Sequence, residues 1–169
     1  MRLALISTIA LAAIGAEAQT AEEMLAPVDL STPEAAVYSM MRAMYQGDAD
    51  MVDQIFLESA LLRRVTAEGE IRPDGLQRWR SWVGTLEVGA AHERLYNVRS
   101  EQYGKLATVW APFTIQVNGE LAGCGVNTMT LTEEDGVWRV IYGMDTNAPK
   151  ETCETFEAGH LADAAGDAE

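Results

Sequence analysis

The sequence predicts an α+β domain in which three N-terminal helices pack in a strongly curved antiparallel sheet, and three observations carry that prediction. Two apolar-rich runs flank Asn118-Gly119, and two more flank Asp135-Gly136. Both dipeptides readily take the positive φ angles of a type I′ turn, whose twist matches that of paired strands, so each marks a hairpin. Apolar residues recur with helical spacing before Gly89 and with period two after it, which places helices first and a meander last.

The chain begins with a positive start at Met1-Arg2, an apolar run from Leu3 to Ile14 and the small-residue pattern Ala16-Glu17-Ala18. Residues 1–18 therefore read as a signal peptide that leaves Gln19 as the new terminus. The run is shorter than the roughly 18–20 residues that span a bilayer. No cysteine follows the cleavage point, which disfavours a lipid anchor. A periplasmic or secreted protein is expected, free of the membrane after cleavage.

Residues 19–30 form an N-terminal lead and residues 31–153 the domain. Ser31-Thr32-Pro33-Glu34 offers a hydroxyl cap, a proline in the first turn and a glutamate to reach back. Val37, Met40, Met41, Met44 and Tyr45 follow at helical spacing until Gly47. Asp48 or Asp50 caps a second short helix carrying Val52, Ile55 and Phe56. An irregular stretch with one or two short strands is expected through Leu61-Leu62 and Ile71. Pro73-Asp74 opens a third helix with Leu76, Trp79, Trp82, Val83 and Leu86 along one side. His92 to Val98 reads as the first strand of a four-stranded meander, with the turn before the long Leu106–Val117 strand near Tyr103-Gly104-Lys105. Pro112 cannot donate to a ladder and predicts a bulge or bend in that strand.

The net charge of −14 excludes nucleic acid and anionic membranes as partners, since both demand basic patches. Residues 154–169, small and acidic, read as a disordered tail. Two cysteines in an exported chain favour a Cys124–Cys153 bridge; a buried thiol at Cys124 and an exposed one at Cys153 is the alternative.

The pattern MRAMYQGDADMVDQIF, followed by the meander, resembles the nuclear-transport-factor-two-like superfamily, which includes ketosteroid isomerase, scytalone dehydratase, limonene epoxide hydrolase and non-enzymatic domains. More narrowly, the Val109-Trp110-Ala111-Pro112-Phe113 strand, Cys124-Gly125-Val126-Asn127, Trp138, Asp145-Thr146 and Cys153 are similar to exported members of that superfamily. The resemblance runs from about Thr32 to Cys153. It implies a cone-shaped α+β barrel, often a homodimer through the outer sheet face, and no particular reaction.

Strand parity then suggests a cavity lining. Trp138 and Val140 orient the last strand, so Tyr142, Met144 and Thr146 share their face if no bulge intervenes. Met129 and Leu131 place Asn127 on the inner face, with Trp110 and Tyr96 as neighbours. An amide among apolar residues needs a partner or a ligand. The ligand-binding set is thus Trp110, Asn127, Tyr142, Met144 and Tyr96.

Asp145 is the one candidate catalytic carboxylate; parity turns it away from Trp138 and Val140 unless the strand is bulged. An isomerase of the ketosteroid type needs a carboxylate base facing an acid pair, and no second embedded carboxylate is evident. Asp145 with Arg94 or Arg139 imitates an Asp-Arg-Asp hydrolase set poorly, and His92 reads as a surface residue. His92 and His160 lie too far apart for a metal, and no glycine-rich phosphate loop is present, so neither a metal nor a cofactor is expected. An outer apolar row of Val109, Ala111, Phe113 and Ile115 would favour a dimer. Three functional readings follow, in this order: a binding domain for a small, largely apolar molecule without catalysis; a cofactor-free isomerase, dehydratase or hydrolase; and a dimeric assembly module.

Overall fold

The computed structural model describes residues 20–154; the expected signal peptide and acidic tail lie outside the described residues, save for Glu154. Among the described residues four helices precede or interrupt the strands: α1 (Ala21–Met24), α2 (Pro33–Gln46), α3 (Ala49–Ile55) and α4 (Leu76–Val83). No described helix is long and apolar enough to cross a membrane.

The helix boundaries follow local chemistry. Thr32 caps α2 by accepting from the Ala35 amide at 3.1 Å, with Pro33 in the first turn, while Glu34 accepts from the Ser100 hydroxyl. Gly47 ends α2 at φ 67°, and its α-hydrogen side faces the Leu86 carbonyl so closely that a Cβ would lie 2.2 Å from it. Asp48 caps α3 through the Asp50 and Met51 amides. Asp74 accepts from the Leu76 amide at 3.2 Å at the start of α4. Val37, Met40, Met41 and Met44 are buried along one side of α2.

The strands are β1 (Phe56–Val65), β2 (Ala91–Leu95), β3 (Arg99–Tyr103), β4 (Leu106–Val117), β5 (Glu120–Glu134) and β6 (Val137–Thr146). They form one sheet in the order β1-β6-β5-β4-β2, with β3 also on β4. Asn118 and Gly119 (φ 52° and 80°) join β4 to β5, and Asp135 and Gly136 (φ 52° and 80°) join β5 to β6, so both expected hairpins form.

Three features depart from the sequence reading. The irregular stretch after α3 is a ten-residue strand, β1, and it pairs with β6 in parallel, making the sheet mixed. Its partner lies some eighty residues away, beyond the reach of local patterning. Pro112 carries no bulge. It sits where β4 changes edge partner: β3 pairs with Leu106–Trp110 and β2 with Phe113–Val117, and the Tyr96 amide donates to the Pro112 carbonyl at 2.8 Å. A residue without an N–H fits such a gap. Register shifts fall instead at Ala122 in β5, at Ile141 in β6 and between Phe56 and Leu61 in β1. The lead packs against α2: Met24 is buried, and Gln46 Nε2 donates to the Met24 and Ala26 carbonyls at 2.9 and 3.0 Å.

After β6 the chain turns through a short 3-10 segment, Lys150–Thr152, onto β5. There the Cys124 and Cys153 sulfurs lie at bonding distance, 2.17 Å, with Cα atoms 5.5 Å apart. Gly125 permits this approach, because a Cβ would fall 1.9 Å from the Thr146 carbonyl oxygen.

Candidate functional site

The concave face of the sheet and the helices enclose an open cavity of about 730 Å³. Met40, Met41 and Met44 of α2 and Trp79 and Trp82 of α4 supply its apolar wall, with Phe113, Ile115 and Met129 from the sheet. Glu93, Asn127, Asp145 and Arg64 gather as one polar group on the sheet side, and Arg63, Arg72, Arg78 and Asn147 also border the cavity. This is the common build of a small-molecule site, an apolar body with a few converging polar groups.

Each polar group arrives by register. Along β4 the odd-numbered residues face inward, and Glu93 stands beside Ile115 on the same face. Asn127 lies across from Ala111 and Asp145. In β6 the extra residue Ile141 reverses the alternation set by Trp138 and Val140, so Gly143 and Asp145 turn inward. Arg64 stands opposite Asp145 on the parallel neighbour β1.

The contacts tie these groups into one cluster. Asn127 Nδ2 donates to Glu93 Oε1 at 2.7 Å, and both residues are buried. Arg64 holds Asp145 with two hydrogen bonds, Nε to Oδ1 at 2.8 Å and a still shorter one from its terminal nitrogen to Oδ2. Burial pushes the Glu93 carboxyl up to about 7. The Asn127 hydrogen bond opposes that rise, the Asp145 charge adds to it, and the Arg64 charge opposes it. A carboxyl whose proton affinity is raised in this way, on the wall of an apolar cavity, has the environment that acid–base chemistry requires. Among the described residues, no three His, Cys, Asp or Glu side chains gather as metal ligands.

Of the sequence-derived ligand set, the cavity contains Asn127 alone, together with Asp145. Trp110 is 49% exposed on the convex face. Tyr142 and Met144 are turned outward by the bulge at Ile141, which parity counting cannot foresee. Tyr96 is buried, with its hydroxyl on Thr114 Oγ1 at 2.8 Å, outside the cavity. Val109, Ala111, Phe113 and Ile115 face inward and not out, because they alternate with the exposed Trp110. His92 is half-buried against Tyr45, ring centroids 5.4 Å apart, and does not line the cavity.

Sequence reasoning passed over Glu93 and Arg64. Glu93 shares its parity with the apolar Ala91 and Leu95, so a charge in that phase of the strand was a legible sign of a buried carboxylate. Arg64 had no such sign, since the parallel pairing that aims it at Asp145 is nonlocal.

No protein-family model matches this chain, and no curated protein matches it. Solved structures do resemble it. An NTF2-like protein of unknown function from Shewanella baltica superposes with a TM-score of 0.52 at 12% identity, over 68% of this chain and 89% of that one. A provisionally assigned dehydratase of the NTF2-like family from Streptomyces avermitilis gives 0.56 at 15% identity, over 72% and 96%. The association domain of C. elegans CaMKII gives 0.51 at 15% identity, over 64% and 88%. At such identities the likeness concerns architecture alone. The chain has the nuclear-transport-factor-two-like fold, a cone of mixed sheet closed by helices.

Proposed function

We propose that the cone is a cofactor-free acid–base active site for a small, largely apolar molecule, with Glu93 as the group that takes or gives the proton. The observation that carries this reading is a buried carboxyl with a proton affinity near neutrality, facing an open cavity and held by Asn127. Asn127 fixes one carboxyl oxygen of Glu93 and so orients the other for exchange. Asp145 is a positioning residue: its negative charge favours the protonated form of Glu93, and Arg64 limits that effect. Proton abstraction or donation of this kind serves isomerisation, dehydration and hydrolysis equally, so the reading names a chemistry and not a product.

Binding without turnover is the second reading. It is favoured by the closed Arg64–Asp145 pair, which leaves Asp145 little freedom to react, and by the methionine-rich wall. We also infer a homodimer through the convex face, where Leu61, Tyr142, Met144 and Trp110 share one side of the sheet and Leu61 and Trp110 are exposed. The Cys124–Cys153 pair supports a periplasmic or secreted location.

A thermal-shift screen of steroids, terpenoids, quinones and aromatic acids, with mass spectrometry of each hit, separates the two readings. The acid–base reading expects turnover that Glu93→Gln abolishes while binding persists. Hits that bind and are recovered unchanged across the panel overturn it in favour of binding alone.

A further inference from the structure

We propose that the molecule this cavity takes is an anion, a carboxylate on an apolar body, whose charged end is held at the mouth by Arg78 and Arg72. The proposal deepens the reading of the cavity as a small-molecule site and is independent of what Glu93 does to the molecule.

The first observation is where the cations are. The chain has only 12 lysines and arginines against 26 acids, yet Arg63, Arg64, Arg72 and Arg78 all border this one cavity. An acidic protein that concentrates its positive charge at one opening creates a local field of opposite sign there, and that field favours an anionic ligand.

The second observation is that most of this charge is unspent. Arg64 is committed to Asp145 by two hydrogen bonds. Arg72 meets Glu70 only at 3.8 Å, with both side chains well exposed, 59% and 69%. Arg78 makes no ion pair and no side-chain hydrogen bond among the described residues. Arg63 Nε is buried with no hydrogen-bond partner among them. The neighbouring carboxylate, Asp74, is occupied by the Leu62 and Leu76 amides.

The third observation is geometry. Positions 75, 78, 79 and 82 recur at i, i+3, i+4 and i+7, so Arg78 shares one face of α4 with Trp79 and Trp82. A ligand lying on the two indoles therefore has a guanidinium beside it at the exposed end. The buried Glu93 and Asn127 mark the other end. An amphipathic carboxylate matches this gradient from exposed cations through apolar wall to buried acid. A neutral molecule would leave Arg78 unused. The planar guanidinium fork suits a carboxylate, which it can hold bidentately.

The test uses a matched pair, 2-naphthylacetic acid and its methyl ester, titrated calorimetrically against the full protein at pH 8. The acid should bind about tenfold more tightly than the ester, the increment of one solvent-exposed charge-assisted contact. Arg78→Gln should erase most of that preference and leave ester affinity unchanged, and Arg78→Lys should restore part of it. Repeating the titration with Glu93→Gln keeps the outcome apart from catalysis: the acid preference should survive there. Equal affinity for acid and ester, a preference that Arg78→Gln leaves intact, or no binding of either at millimolar concentration would each overturn the proposal. Preference without turnover of any compound would leave it standing while the acid–base reading fails.

Discussion

Replacing Glu93 with glutamine should remove a pH dependence of stability that the structure assigns to one carboxyl. Burial raises the folded-state pKa of Glu93 from its ordinary 4.5 to about 7. The folded protein therefore keeps a proton that the unfolded chain has lost. The stability due to this group is complete below pH 4.5, declines as pH rises, and levels off above about pH 7. Between pH 5 and pH 8 the decline amounts to about 2–3 kcal/mol. Glutamine keeps the shape and the contact, because the Asn127 amide can turn its oxygen to accept. Urea unfolding of both proteins with the disulfide intact, at pH 5 and pH 8, measures the effect. His92, whose pKa burial lowers, acts in the opposite direction over part of this range, but it is common to both proteins and cancels in their difference. Asp29, Asp53 and Asp74 have lowered pKa values and lose their contribution only as pH falls below the carboxylate range. The glutamine protein should gain about 2–3 kcal/mol on the wild type in going from pH 5 to pH 8. The reasoning fails if the two proteins change in parallel.

Three further outcomes are expected. Protein recovered without reductant should carry no alkylatable thiol, and reduction should lower stability by roughly 3–4 kcal/mol, the entropy of closing a loop of this span; two free thiols would contradict it. Gly125→Ala should destabilise by about 1–3 kcal/mol through the clash with the Thr146 carbonyl, read as a lower urea midpoint, whereas Gly123→Ala, with open space around it and no positive φ, should cost less. Light scattering should give twice the chain mass, and Trp110→Lys should halve it without unfolding the protein; a wild-type monomer at tens of micromolar argues against the convex-face dimer.

The legible parts of the fold were the local ones. Hairpins at Asn118-Gly119 and Asp135-Gly136 declare themselves through backbone conformations that few residues adopt, and α2 declares itself through Thr32, Pro33 and Gly47. What escaped was nonlocal or uneven. The parallel pairing of β1 with β6 leaves no trace in the run Leu61-Leu62-Arg63-Arg64, so Arg64 had no visible partner. One bulged residue, Ile141, exchanges the faces of Tyr142, Met144 and Asp145, so a strict period of two puts the wrong half of the strand in the cavity. Asn127 was read inward correctly because Met129 and Leu131 lie on its own side of the β5 alternation, beyond the bulged partner. Glu93 was visible in principle, in phase with Ala91 and Leu95, but a glutamate in a strand with His92 and Arg94 reads most simply as one more solvated charge.

The titration of the Glu93 carboxyl carbon, followed by carbon-13 NMR of selectively labelled protein and assigned with Glu93→Gln, tests the acid–base site most directly. The midpoint should lie near 7 and rise further in Asn127→Ala, where the hydrogen bond that favours the charged form is gone. A midpoint close to the ordinary 4.5, unmoved by Asn127→Ala, would contradict the assignment of Glu93 as the proton-exchanging group of this cavity.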